Sequence, residues 1–246
     1  MVEKVWLALQ ATAFPCFCTA AGAASVFVVG AKNRKQGEEM LDGFAAGVML
    51  AASFFSLLLP AVQGAAHWAV PTLGFAIGVL GLAWAEKAAA AFLSPQSTGG
   101  SSRRAALGIA LHNLPEGMVV GLAAVLALGG SAEMRAGAAA LSLGIGVQNL
   151  PEGAAVSLPL HRAGKSRLEA FAAGVGSGLI EPLGGVLAAM LAVWVNPLMP
   201  WLLAAAAGVM VGITLQDLVP AASKSQGGCI ALWLGFILMM ALDLAL

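Results

Sequence analysis

His112-Asn113-Leu114-Pro115-Glu116-Gly117 and Gln148-Asn149-Leu150-Pro151-Glu152-Gly153 are two copies of one six-residue motif, identical at five positions. Each lies in an apolar stretch and places a carboxylate four residues after a His or Gln. Residues four apart share a helix face, so His112 points with Glu116 and Gln148 with Glu152. A carboxylate held away from water is costly unless something compensates its charge. Two of them in matched contexts point to a cation.

The surroundings of the motifs read as membrane. The 246 residues are 60% hydrophobic and only 10% charged, against about 25% charged in a soluble domain. Mean hydropathy is +0.90. Residues 43–85 contain no Asp, Glu, Lys or Arg, and residues 170–215 contain one, Glu181. A spanning helix needs about 20 mostly apolar residues, so each block holds two. The polar faces of a soluble bundle are missing. At the N-terminus, residues 5–31 carry no charge, far longer than the roughly 7–15 residue core of a signal peptide. This run reads as a retained first span. Three cysteines suggest no disulfide framework. Cys16 and Cys18 read as small core residues, with soft metal ligation as the alternative.

Breaks at charges and Gly/Pro/Ser clusters predict eight spans, about 5–30, 41–63, 69–93, 104–128, 136–160, 168–194, 199–221 and 228–246. The expected fold is an all-α polytopic membrane protein with one transmembrane domain over 1–246. The only linker-like stretch is 94–102. With the N-terminus outside, inside connections hold Lys32, Arg34, Lys35, Lys87, Arg103, Arg104, Arg162, Lys165, Arg167 and Lys224. The outside holds Lys4 and Arg135. Ten against two is a positive-inside signal, and it places both termini outside the cytoplasm.

The motif copies then lie on spans 4 and 5, which run in opposite directions. An inverted repeat predicts this. Spans 2 and 7 carry a fainter echo: Ala45-Ala46-Gly47-Val48-Met49 matches Ala206-Ala207-Gly208-Val209-Met210, and Leu59-Pro60-Ala61 matches Val219-Pro220-Ala221. A 3+2+3 inverted-repeat bundle follows. The small-xxx-small pairs Gly43/Gly47, Gly74/Gly78 and Gly117/Gly121 read as close helix packing.

Pro115 and Pro151 each lack an amide hydrogen, which frees the carbonyls of Leu111 and Val147 and bends the helix. Freed carbonyls are tolerated in a membrane only where protein or a polar cavity satisfies them. Asn113 and Asn149 add amide oxygens, and Glu181-Pro182 repeats the carboxylate–proline pairing on span 6. Three charged acids near the midplane would cost about 8–10 kcal/mol on insertion scales. Binding a dication removes that penalty. Imidazole with carboxylate and amide oxygen suits a borderline transition metal such as zinc. Two glutamates from separate helices could bridge two ions about 3.5–4 Å apart. The bland alternative is a structural Glu–His staple between helices.

The chain resembles the ZIP (ZRT/IRT-like) family of divalent metal transporters along its whole length. The carriers of the likeness are His-Asn-x-Pro-Glu-Gly on span 4, its partner on span 5 and Glu-Pro on span 6. Gln148 opening the second motif, with Phe55-Ser56-Leu57-Leu58-Leu59-Pro60, resembles the GufA-like branch. The resemblance implies zinc import into the cytosol across a plasma or inner membrane, with Fe2+, Mn2+, Cd2+, Co2+ or Cu2+ as other substrates. It implies a binuclear site: His112, Glu116 and Glu152 with Met49 nearby, then Asn113, Asn149 and Glu181 sharing the two bridging glutamates. It also implies spans 1, 4, 5 and 6 moving against 2, 3, 7 and 8, and homodimers. Two departures stand out. Relatives often have histidine where Gln148 stands, and the loop between spans 3 and 4 has no histidine.

Outside the motifs the alternatives stay open. Gln216 and Asp217 are a metal waystation toward the cytosol by resemblance, or an interfacial polar cap. Met49 alone reads as core. Ser56 lines an entrance or bonds its own helix. His161 reads as a loop residue, and His67 beside Trp68 as an interfacial anchor. No resident cofactor and no nucleic-acid partner are expected; the ions are substrate and the surrounding partner is lipid. A metalloprotease-type enzyme would need His-Glu-x-x-His, which is absent. A metal-selective channel is the other alternative.

Overall fold

The computed structural model describes residues 1–28, 34–92 and 100–245, and these residues are helical apart from short turns, with no strand among them. The helices are α1 (Val2–Ala23), α2 (Ser25–Val28), α3 (Arg34–Ala52), α4 (Leu59–Gly64), α5 (Ala69–Phe92), α6 (Gly100–Ala127) and α7 (Ala132–Arg162). They continue as α8 (Arg167–Gly178), α9 (Ile180–Met190), α10 (Ala192–Val195), α11 (Met199–Ile213), α12 (Val219–Ala222) and α13 (Gln226–Ala245). Of the predicted basic cluster, Lys32 and the side chains of Arg34, Lys35, Arg103 and Arg104 lie outside the described residues. The predicted linker 94–102 is shorter than expected from its far side: Gly100, Ser101 and Ser102 already belong to α6.

Among the described residues, five helical stretches are long and apolar enough to cross a membrane: Val2–Val28, Glu39–Gly64, Arg167–Met190, Met199–Ala222 and Gln226–Ala245. Shorter apolar stretches are Ala69–Ala85 and Asn113–Ala127. α7 is 31 residues long but is not among them. Gln148, Asn149, Pro151 and Glu152 dilute the apolar character of its middle.

The helices sort into two packing groups. In the first, α1, α6, α7, α8 and α9 pack on one another. In the second, α3 lies along α13 and α5 along α11. The two motif helices form the seam between the groups: α6 faces α11 and α5, and α7 faces α3 and α13.

Close approach within each group depends on glycine. A Cβ on Gly117 would sit 2.0 Å from the Glu181 carbonyl oxygen, and one on Gly184 2.3 Å from that of Leu114. On the other motif, a Cβ on Gly153 would sit 1.9 Å from the Thr19 oxygen, and one on Gly22 1.9 Å from that of Leu150. The third and sixth positions of both motifs therefore do the same work, one against α9 and the other against α1. Backbones this near to each other need glycine at the contact.

The fainter echo is structural too. Gly47 lies against Leu232 of α13, and Gly208 against Phe75 of α5. Two residues beyond each glycine stands a fully buried methionine, Met49 and Met210. Four residues further on, Ser53 Oγ donates to the Met49 carbonyl at 2.6 Å and Thr214 Oγ1 to that of Met210 at 2.7 Å. Each helix then widens into a π segment, Ser53–Leu58 and Thr214–Leu218. Pro60 and Pro220 follow at the second residue of α4 and α12. Hydroxyls that bond back to i−4 and prolines without an amide hydrogen both disturb the α ladder, and π turns are one way to absorb this.

The turns outside the bundle are conventional. Ser131 caps α7 by accepting from the Met134 amide at 3.3 Å. Ser166 and Glu169 form a reciprocal capping box that starts α8, satisfying two amides that the helix leaves over. Gly164, with φ +93°, turns the chain between α7 and α8. His161 Nδ1 meets the Lys165 carbonyl at 2.8 Å in this same turn, and exposed His67 stacks at 5.2 Å on Trp68.

Candidate metal centre

Six polar side chains named by the sequence are buried together on the helices of the first group: Asn113, Glu116, Gln148, Asn149, Glu152 and Glu181, each no more than 1% exposed. The periodicity of the motifs delivers four of them. Asn113 and Glu116 lie three apart on α6, and Asn149 and Glu152 three apart on α7, so each pair shares a face.

The contacts cross helices. Gln148 Nε2 donates to Glu116 Oε1 at 2.7 Å, joining the two motif copies directly. Asn113 Nδ2 donates to the Ser177 carbonyl of α8 at 3.0 Å. Thr19 Oγ1 of α1 donates to Glu181 Oε1 at 2.9 Å. Asn149 and Glu152 both lie within electrostatic reach of Glu181. Carboxylates and amides from α6, α7 and α9 thus converge, with α1 and α8 holding them in place.

The donor set has a definite sign. Asn113 Oδ1 and Gln148 Oε1 are buried acceptor oxygens with no hydrogen-bond donor on them, and the Asn149 side chain is a hydrogen-bond partner of Glu181. Buried polar atoms in folded proteins normally have partners. Oxygens gathered in excess of donors suit a cation. Among the described residues no three His, Cys, Asp or Glu side chains form one cluster. The buried set itself combines amide side chains with carboxylates. His112 lies on α6, and its side chain is outside the described residues.

The remaining sequence candidates are placed differently. Met49 is fully buried within an apolar cluster that includes Ala45, Val119 and Ala155. Gln216 and Asp217 are exposed on the π segment Thr214–Leu218, apart from the buried set. Ser56 bonds across the bundle and not to its own helix: its Oγ donates to Asp243 Oδ1 at 2.6 Å. Cys16 is half-buried and Cys18 buried, both with free thiols, and both lie within electrostatic reach of Glu181.

Sequence reasoning missed Thr19 and Asp243. Thr19 had no signal beyond being a polar residue in an apolar run. Asp243 had one: it is a lone carboxylate in an otherwise apolar final span, and an intramembrane acid merits a functional reading by default.

The profile of the family described as ZIP Zinc transporter matches residues 102–243. The chain belongs to the ZIP family. It is 37% identical to human zinc transporter ZIP11 across 99% of this chain and 98% of that protein. It is 36% identical to the zinc transporter ZupT of Salmonella paratyphi A, over 85% of this chain and 87% of that one. It is also 36% identical to zinc transporter ZTP29 of Arabidopsis thaliana, over 76% and 75% of the two chains. The buried oxygen-rich centre is thus set in a multi-pass membrane protein of a metal-transport family.

Proposed function

We propose that this ZIP protein imports zinc into the cytosol through a binuclear site on the motif helices. The observation that carries the reading is the burial of Glu116 and Glu152, one from each motif copy, at the seam between the two packing groups. The two carboxylates bridge the ions. His112 completes one subsite, with Met49 nearby. Asn113, Asn149 and Glu181 complete the other. Gln148, already bonded to Glu116, offers its amide oxygen to the first. Loss of the charge-burial penalty on binding a dication supplies the affinity.

The architecture in this reading is a single eight-span domain over 1–246 with 3+2+3 inverted symmetry. The duplicated glycine contacts, hydroxyl bonds and π segments favour it. Both termini face outside the cytoplasm, in a plasma or inner membrane. The group of α1, α6, α7, α8 and α9 moves against the group containing α3, α5, α11 and α13, exposing the seam to each side in turn. Gln216 and Asp217 act late in the path, near the cytosolic surface. Fe2+, Mn2+, Cd2+, Co2+ and Cu2+ are further candidate substrates, and a homodimer is the proposed assembly.

Uptake into proteoliposomes tests this, with a panel of divalent ions under separately imposed pH and voltage gradients. Zinc flux that saturates at low concentration is expected. Flux that rises without saturation would replace the carrier with a channel, and no flux would remove the transport reading.

A further inference from the structure

We propose that the groove between α1, α6 and α7, beside the α6–α7 turn, binds an anionic phospholipid, with an acyl chain along the groove and the phosphate at Arg135 and Lys4. A cavity of about 680 Å3 opens there, walled by Leu7, Ala11 and Phe14 of α1, Ala124 of α6, and Ala139 and Leu143 of α7. The α1 residues form one helical stripe, and Leu7 to Phe14 spans about 10 Å. Half the hydrocarbon core of a bilayer is about 15 Å deep, so the groove runs within one leaflet. Phe14 is the deepest α1 residue in it. Its ring lies against Gly146, where a Cβ would sit 2.3 Å from Phe14 Cε1, two residues short of the second motif.

The polar groups decide what fits. Ser142 Oγ donates to the Ala11 carbonyl at 2.8 Å, which ties α7 to α1 and leaves the wall apolar. Gln10 adds one exposed amide. Arg135 lines the groove from the first turn of α7 and is exposed. Its guanidinium donates to the Gly130 carbonyl and makes no ion pair among the described residues. Exposed Lys4 stands one turn before Leu7 on the same stripe of α1. No acid is among the described lining residues. Two cations over an apolar groove suit a phosphate above a hydrocarbon chain. They repel a dication, so this opening is not a metal entrance. Lipid tails are as apolar as the walls, so the chain gains no hydrophobic transfer on entering. It supplies dispersion partners to lining atoms that otherwise lack them. Selection therefore comes from the head, at about fivefold in affinity for each basic residue.

Purified full-length chain, stripped of lipid in detergent, is mixed with equal amounts of phosphatidylglycerol and phosphatidylcholine carrying the same acyl chains. Native mass spectrometry then reads the lipid retained per chain. The wild type is expected to prefer phosphatidylglycerol by about tenfold or more. Arg135→Gln combined with Lys4→Gln should bring the two lipids to equal retention, while Arg135→Lys keeps most of the preference. Ala139→Phe fills the groove from an exposed wall position and should lose both lipids. Glycerol phosphate, a head without a chain, should not displace the bound phosphatidylglycerol at equal concentration. Equal retention of the two lipids by the wild type would overturn the proposal. So would an unchanged preference in the double variant, or wild-type retention in Ala139→Phe. Displacement by glycerol phosphate would also overturn it, by assigning the two cations to a soluble anion.

Discussion

The two motif copies are alike in backbone and unlike in chemistry. Leu114 and Gly117 pack on α9 as Leu150 and Gly153 pack on α1, with the same glycine-limited approaches. At the matching place on the partner helix, however, α9 presents Glu181 to Gly117 while α1 presents Thr19 to Gly153. The two non-equivalent residues then bond to each other. The motifs also open differently, with His112 in one and Gln148 in the other, and Gln148 turns its amide onto the opposite copy's Glu116. The shared motif residues give both copies the same close packing, and the residues that differ make their surroundings chemically distinct. A symmetric frame lets a moving group present related surfaces to both sides. An asymmetric ligand set allows two ions to be held differently.

The largest effect should come from the residues the copies share. Glu116→Ala and Glu152→Ala are each expected to reduce zinc uptake in proteoliposomes to the level of empty vesicles. Retention of most of the flux in either variant would show that the copies are not equivalent in their bridging role.

Next come the shared glycines. Gly117→Ala and Gly153→Ala each place a Cβ about 2 Å from a carbonyl oxygen. Each should lower stability by about 1–3 kcal/mol, read as an earlier thermal transition in detergent. Comparable losses would support equivalent packing. A loss confined to one variant would break the symmetry of the frame.

The position at which the copies differ offers a sharper test. Gln148→His should tighten zinc binding, since imidazole is the better zinc ligand. It should also introduce a dependence on pH, because a histidine of ordinary pKa, about 6.5, takes up a proton that competes with the metal. Binding to the variant is then strongest above this value and weakens as pH falls through it. Calorimetry at pH 5, 6 and 7 checks the slope. Superimposable profiles for variant and wild type would place position 148 away from the ion.

The smallest effect concerns Thr19. Thr19→Val keeps the shape and removes the hydroxyl that orients Glu181. A hydrogen bond to a charged group contributes about 1.5–3 kcal/mol, so zinc affinity should fall roughly ten- to hundredfold while Thr19→Ser stays near wild type. Equal affinities in all three would leave Thr19 a packing residue.

Much of this was legible in the sequence, and the reasons are physical. Helices came from long apolar runs, and the buried site came from carboxylates that such runs do not tolerate without a function. Identity at five of six motif positions was strong enough to reveal a repeat. The π segments were not legible. They depend on hydroxyl bonds from Ser53 and Thr214 acting together with Pro60 and Pro220, and none of these is distinctive alone. The exchange between Thr19 and Glu181 was hidden because helices α1 and α9 carry no visible sequence repeat; only their contacts with Gly153 and Gly117 relate them. Ser56 was ambiguous because a serine in a membrane helix can always bond its own backbone. Its partner, Asp243, lies 187 residues away.

The central claim is that carboxylates from both motif copies hold the metal jointly. Counting zinc ions bound per chain in purified wild type, Glu181→Ala, Glu116→Ala and Glu152→Ala tests it most directly. Two ions in the wild type, one in Glu181→Ala and no tightly held ion in either bridging variant is the predicted result. A full wild-type complement in folded Glu116→Ala or Glu152→Ala would contradict the account.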